Sequence, residues 1–118
     1  MYLYLILLAI IAFLIFTRRT KSIDIQVLTK RCAKWATTAQ QDESPYLSVL
    51  HANYAAGYLS ALKDIASPNE VHKCTGIDFV KFEQHILNVQ DMVTQKLIKK
   101  CPEFAGEVDL YLSSIAGV

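Results

Sequence analysis

Residues 1 to 16, MYLYLILLAIIAFLIF, contain no charge, no amide and no proline, and TRRTK follows at once. Ten consecutive large or β-branched residues such as YLYLILLAII leave a helix no polar face to show to water, so burial in a soluble core is a poor fit. A cleaved signal peptide fits no better, because it would want a basic residue before the apolar run and a small-x-small site after it. A retained membrane anchor is the remaining reading. Sixteen helical residues rise only about 24 Å against a hydrocarbon core of about 30 Å. Thr17 extends the helix, and the long stems of Arg18 and Arg19 can snorkel to the headgroups. Tyr2 and Tyr4 suit the opposite interface.

Orientation is expected from the positive charges. Arg18, Arg19 and Lys21 flank the C-terminal end of the span, which places residues 18–118 on the cytosolic side. Between residues 18 and 34 six basic side chains face Asp24 alone, whereas from 35 to 118 six face ten acidic ones. The near segment would be drawn to anionic headgroups by about 1 kcal/mol per basic side chain, and the distal part repelled. For Lys30, Arg31 and Lys34 the solvated face of a helix is an equally plain account. The chain thus divides into an anchor (1–17), a basic juxtamembrane segment (18–22) and a body (23–118).

The body reads as helices throughout. Ser22 is expected to cap a helix to about Gln41, with Ile25, Leu28, Cys32, Trp35 and Ala39 on one face. In DESP, Ser44 is an N-cap candidate and Pro45 fits the first helical position, starting a helix to about Ala66. Its expected core stripe is Leu47, Leu50, Tyr54, Ala61, Leu62 and Ile65. Ser67 and Glu70 form a capping box ahead of a short helix over about residues 69–73. A long helix starting at Thr75 or Asp78 carries Phe79, Phe82, Ile86, Val89, Val93 and Leu97, and Pro102 forbids its continuation past KKCP. A last short helix is expected in GEVDLYLSSIAG, with Val108, Leu110, Tyr111, Leu112 and Ile115 on its apolar side. The expected fold is therefore all-α: one N-terminal transmembrane helix followed by a bundle of about four to five helices.

One flank of the central helix is nearly bald. Ala52, Ala56 and Ser60 recur at intervals of four with Gly57 beside them. Gly57 costs about 1 kcal/mol relative to Ala in a helix interior, which predicts close packing of this helix-packing surface against the long helix. A docking groove for a partner is the competing reading.

Little else suggests chemistry. His72 and Cys74 in HKC could begin a metal site, but no CxxC or HxxxH supplies the further ligands a structural zinc needs. His51 beside the core stripe is most simply a hydrogen-bonded imidazole, and Cys32 a small core residue. Three scattered cysteines, Cys32, Cys74 and Cys101, are too few for a disulfide scaffold. There is no nucleotide-binding glycine motif and no nucleophile elbow, so no catalytic residue, cofactor, metal or small-molecule substrate is assigned and the protein reads as a non-enzyme. Nucleic acid is a poor partner for a chain of pI about 7.7 whose basic residues sit where the membrane would be.

HANYAAGYLSALKDIAS, TGIDFVKFEQHI and DLYLSSIAG together resemble the small, uncharacterised membrane-anchored proteins of large algal DNA viruses of the chlorovirus and phycodnavirus kind, over about residues 50–117. None of these strings carries a catalytic role, so no functional residue transfers. The resemblance implies a setting: an internal virion membrane beneath an icosahedral capsid, with minor capsid proteins joining the two. It implies a structural protein whose partners are the lipid bilayer and capsid or other virion proteins. The alternative is a membrane-bound adaptor or regulator of the infected cell, absent from the particle.

Overall fold

In the computed structural model, which describes residues 1–105 and 109–117, the chain is helical with no strand among the described residues. Five α-helices follow in order: α1 (Tyr2–Gln41), α2 (Pro45–Ile65), α3 (Pro68–Thr75), α4 (Phe79–Lys100) and α5 (Leu110–Ala116). A 3-10 turn, Pro102–Ala105, follows α4. The all-α reading and the long apolar N-terminal helix are therefore both present.

Ser22, expected to cap a helix, lies inside one. It caps nothing, because α1 runs unbroken through 40 residues. Between Thr17 and Ser22 no proline or glycine interrupts the helix. The hydroxyls of Thr17 and Thr20 donate to the carbonyls of Leu14 and Phe16, each at 3.0 Å, rather than competing with the ladder. Ser22 has no orphan N–H to cap, and its Oγ accepts from Gln26 Nε2. Residues 18–22 are part of this continuous helix.

The other boundaries follow local chemistry. Pro45 opens α2, although Ser44 makes no side-chain capping bond. At α3 the capping box closes in both directions: Ser67 Oγ accepts from Glu70 N, and Ser67 N donates to Glu70 Oε1, both at 3.2 Å. Gly76 ends α3 at φ 75°, a left-handed conformation that glycine adopts freely. Asp78 caps α4 by accepting from Lys81 N, whereas Thr75 belongs to α3. Asp109 caps α5 through bonds from Tyr111 N and Leu112 N. Of the last apolar stretch, residues 106–108, including Val108, lie outside the described residues. Leu110, Tyr111, Leu112 and Ile115 are exposed and belong to no core.

The second half of α1, α2 and α4 form the bundle. Cys32 Sγ donates to Ala55 O at 3.2 Å and Ser48 Oγ to Asp42 O, so α2 runs antiparallel to α1. Lys63 meets Glu83 at 2.8 Å and Gln90 meets Asn53 at 3.0 Å, so α4 runs antiparallel to α2. On α4 the expected stripe is the observed one: Phe79, Ile86, Val89, Val93 and Leu97 are buried and Phe82 packs at its edge. On α1 the buried face is Ile25, Thr29, Cys32, Ala36 and Ala39, with Leu28 and Trp35 only partly covered.

The expected stripe of α2 is corrected. Its buried residues are Ser48, Ala52, Ala55, Leu59 and Leu62, while Leu47, Leu50, Tyr54 and Ile65 are exposed. Facing Cys32, Ala36 and Ala39 on α1, small side chains let the two helices approach closely, and that contact wins over the burial of bulk. The polar members are satisfied: Thr29 donates to Ile25 O at 2.7 Å, and no buried side-chain nitrogen or oxygen among the described residues lacks a partner.

Candidate membrane interface and helix-packing surface

In the first half of α1 every large apolar side chain from Tyr2 to Phe16 is exposed, and the most apolar window of the helix has no buried share at all. Among the described residues this is the one helix long and apolar enough to cross a membrane. A core helix that passes the same test of composition would be covered by its neighbours; this one is bare.

The three basic residues at its end do not behave alike. Arg18 and Arg19 are exposed and have no carboxylate within ion-pair distance among the described residues. Lys21 instead reaches back to α3, its Nζ 2.6 Å from Glu70 Oε2. The Lys21 ammonium, helped by the Ser67 backbone N–H, holds the Glu70 carboxyl below its ordinary range. So Lys21, expected at the membrane interface with the arginines, ties α1 to the start of α3. Beside this pair Phe16, Thr17, Thr20, Lys21 and Asp24 of α1 form a shallow groove closed on its far side by Ile65, at the end of α2.

The bald flank of α2 divides. Ala52 is buried, Ala56 is half-buried, and Gly57 and Ser60 are exposed. A Cβ placed on Gly57 would meet nothing within 4 Å, so close packing within this chain does not require glycine there. Ala55, which the four-residue spacing passes over, is the residue against α1. A three-four alternation from Ser48 to Leu62 was the available signal. Gly57 floors an open groove walled by Leu28 and Trp35 of α1 and by Tyr54 and Tyr58 of α2. The Trp35 ring lies 5.0 Å from His51 and 5.1 Å from Tyr54, edge-on to the latter. His51 Nδ1 pairs with Asp42 Oδ2 at 2.5 Å, the half-buried, bonded imidazole expected from its place beside the core.

At the opposite end of the bundle lies a larger groove that sequence reasoning missed. Asp42, Glu43 and Pro45, at the turn between α1 and α2, face Lys96, Lys99 and Lys100 on α4, with Ala39, Met92 and Val93 as its floor. The three lysines share one side of α4 at three-four spacing, but which element they would face depended on the antiparallel packing.

The remaining candidates are separate from one another. His72 Nδ1 lies 3.3 Å from the Ile77 carbonyl, and no group of three His, Cys, Asp or Glu among the described residues is arranged to hold a metal ion. All three cysteines are free thiols. Burial pushes the Cys32 thiol up to about 11, which keeps it protonated and a poor nucleophile. Cys101 bonds the Tyr46 hydroxyl at 3.3 Å, which raises the phenol's pKa.

No protein-family model matches this chain, and no curated protein or solved structure matches it significantly.

Proposed function

We propose that this protein is a non-enzymatic membrane tether: α1 crosses the bilayer once, and the bundle of α1, α2 and α4 stands on the cytosolic side to engage another protein. The observation that carries this reading is the continuity of α1. The stretch from Tyr2 to Phe16 exposes its large apolar side chains, the stretch from Ile25 to Ala39 is a wall of the bundle core, and no break separates them. A helix without a hinge transmits position, which suits a part that joins two layers at a fixed spacing. Arg18 and Arg19, with no ion-pair partner among the described residues, support the orientation by the positive-inside bias. In the setting implied by the sequence resemblance, the membrane is the internal one of a virion and the engaged partner a capsid or other virion protein.

Three measurements test the reading in sequence. Alkaline carbonate extraction should leave the chain in the membrane pellet; release into the supernatant would show that α1 does not span. In microsomes the body should be open to protease, and protection would reverse the orientation. Mass spectrometry of purified particles should find the chain in stoichiometric amount. Its absence would move the function to a membrane-bound adaptor or regulator in the infected cell.

A further inference from the structure

The apolar run of α1 is too short for an average bilayer. Sixteen residues rise about 24 Å, so a hydrocarbon core of about 30 Å would extend some four residues further, to the level of Thr20. Tilting cannot help a short span; the options are a thinned membrane, snorkelling side chains or additional protein brought into the interface. The structure supplies the third. Ile65, exposed at 40%, closes the groove whose other wall is Phe16, Thr17 and Thr20, so the corner between α2 and α3 lies at the level where the span falls short.

We propose that this corner is a second membrane contact, with Ile65 in the boundary between headgroups and acyl chains, and that Arg18 and Arg19 hold anionic headgroups around it. The inference rests on the anchor reading of α1. The corner carries two exposed carboxylates, Asp24 and Asp64, with no ion-pair partner among the described residues, and an interfacial position leaves both in the headgroup water. The hydroxyls of Thr17 and Thr20 are satisfied by carbonyls of their own helix, and Lys21 and Lys63 are paired with Glu70 and Glu83. Arg18 and Arg19 are left as uncompensated cations among the described residues, with stems long enough to reach phosphate. The bundle would then be seated on the lipid surface at one end rather than held clear of it, with the α1–α2 turn and the end of α4 directed away.

Spin-label depth measurement in the full chain tests this. The chain is reconstituted in bilayers of phosphatidylcholine with one-quarter phosphatidylglycerol, Cys74 and Cys101 are replaced by Ser, and buried Cys32 is left in place. Single labels are then introduced by Phe13→Cys, Ile65→Cys and Glu43→Cys. Ile65 is a partly exposed end residue, so its replacement leaves the core intact, and unchanged helical circular dichroism confirms each fold. The label at 65 should collide with a water-soluble nickel chelate at least about threefold less often than the label at 43, and with oxygen more often. If position 65 is as wet as position 43 while position 13 is shielded, the anchor stands and the second contact is refuted. If position 13 is also wet, the anchor fails and the second contact falls with it.

Discussion

Helices α2 and α4 are 21 and 22 residues long and lie side by side, yet they are held in the bundle by different means. α4 is amphipathic: Phe79, Ile86, Val89, Val93 and Leu97 go inward and the charges between them go outward. α2 is apolar nearly all round, and what it buries is its small side, Ser48, Ala52 and Ala55, with Leu59 and Leu62 at one end. The contrast separates two sources of packing energy. α4 gains mainly from area removed from water, whereas α2 gains from the close approach of two backbones, which the larger Leu47, Leu50 and Tyr54 would prevent.

Four substitutions, read by thermal unfolding of the full chain in detergent, sharpen or break that contrast. The largest effect is expected at Leu62, which has no exposed surface: Leu62→Ala should cost about 2–5 kcal/mol, with Leu50→Ala on the exposed side below about 1 kcal/mol. Equal losses would mean that the large side of α2 is covered, and the contrast would be void. Next, Ala55→Leu should cost about 1–3 kcal/mol by overpacking against the Cys32 turn of α1, and Ala56→Leu clearly less, because Ala56 is only half-buried. A larger penalty at 56 would return the tight contact to the flank first expected from the four-residue spacing.

Gly57→Ala tests the same helix with the opposite sign. The added methyl meets nothing within 4 Å, so removing the glycine should stabilise α2 by up to about 1 kcal/mol. A loss of stability would show that the groove beside Trp35 is too tight for the added methyl. The smallest effect belongs to a surface pair outside both helices. Glu70 has a folded-state pKa below its unfolded value, so the stability it contributes with Lys21 is complete at neutral pH and is lost as pH falls through the folded value. Glu70→Gln should therefore lower the melting temperature slightly at pH 7 and converge with the unaltered chain in acid, once the pH has fallen below the folded-state value of Glu70. A difference that persists in acid would assign the loss to the capping bond at Ser67 N instead.

Much of this fold is legible in short stretches of sequence, because helix ends are decided by groups a few residues apart. Pro45 at the start of α2, the Ser67–Glu70 box, Asp78 before α4 and Pro102 beyond it all act locally. The α4 stripe is equally legible, since polar residues leave only one face to bury. Ser22 shows the limit of local signals: a capping residue caps only where the preceding chain leaves N–H groups free, and the helix arriving from Thr17 leaves none. Of the candidate surface residues, Arg18 and Arg19 are exposed, and Lys21 pairs with Glu70, 49 positions further on in the chain, a contact no local pattern announces.

What the sequence by itself determined, then, is the all-helical class, the starts of α2, α3 and α4, the apolar run that opens α1 and the inward face of α4. These depend on propensity, capping and amphipathic period, each of which acts within a turn or two. The tertiary structure alone decided which face of α2 is buried, what Gly57 borders, and that Asp42 and Glu43 stand opposite the α4 lysines. It also set Ile65 beside Phe16 and Thr20. An apolar helix with several faces to offer has no preference until a neighbour presents a shape, and the small residues of α1 supplied that shape.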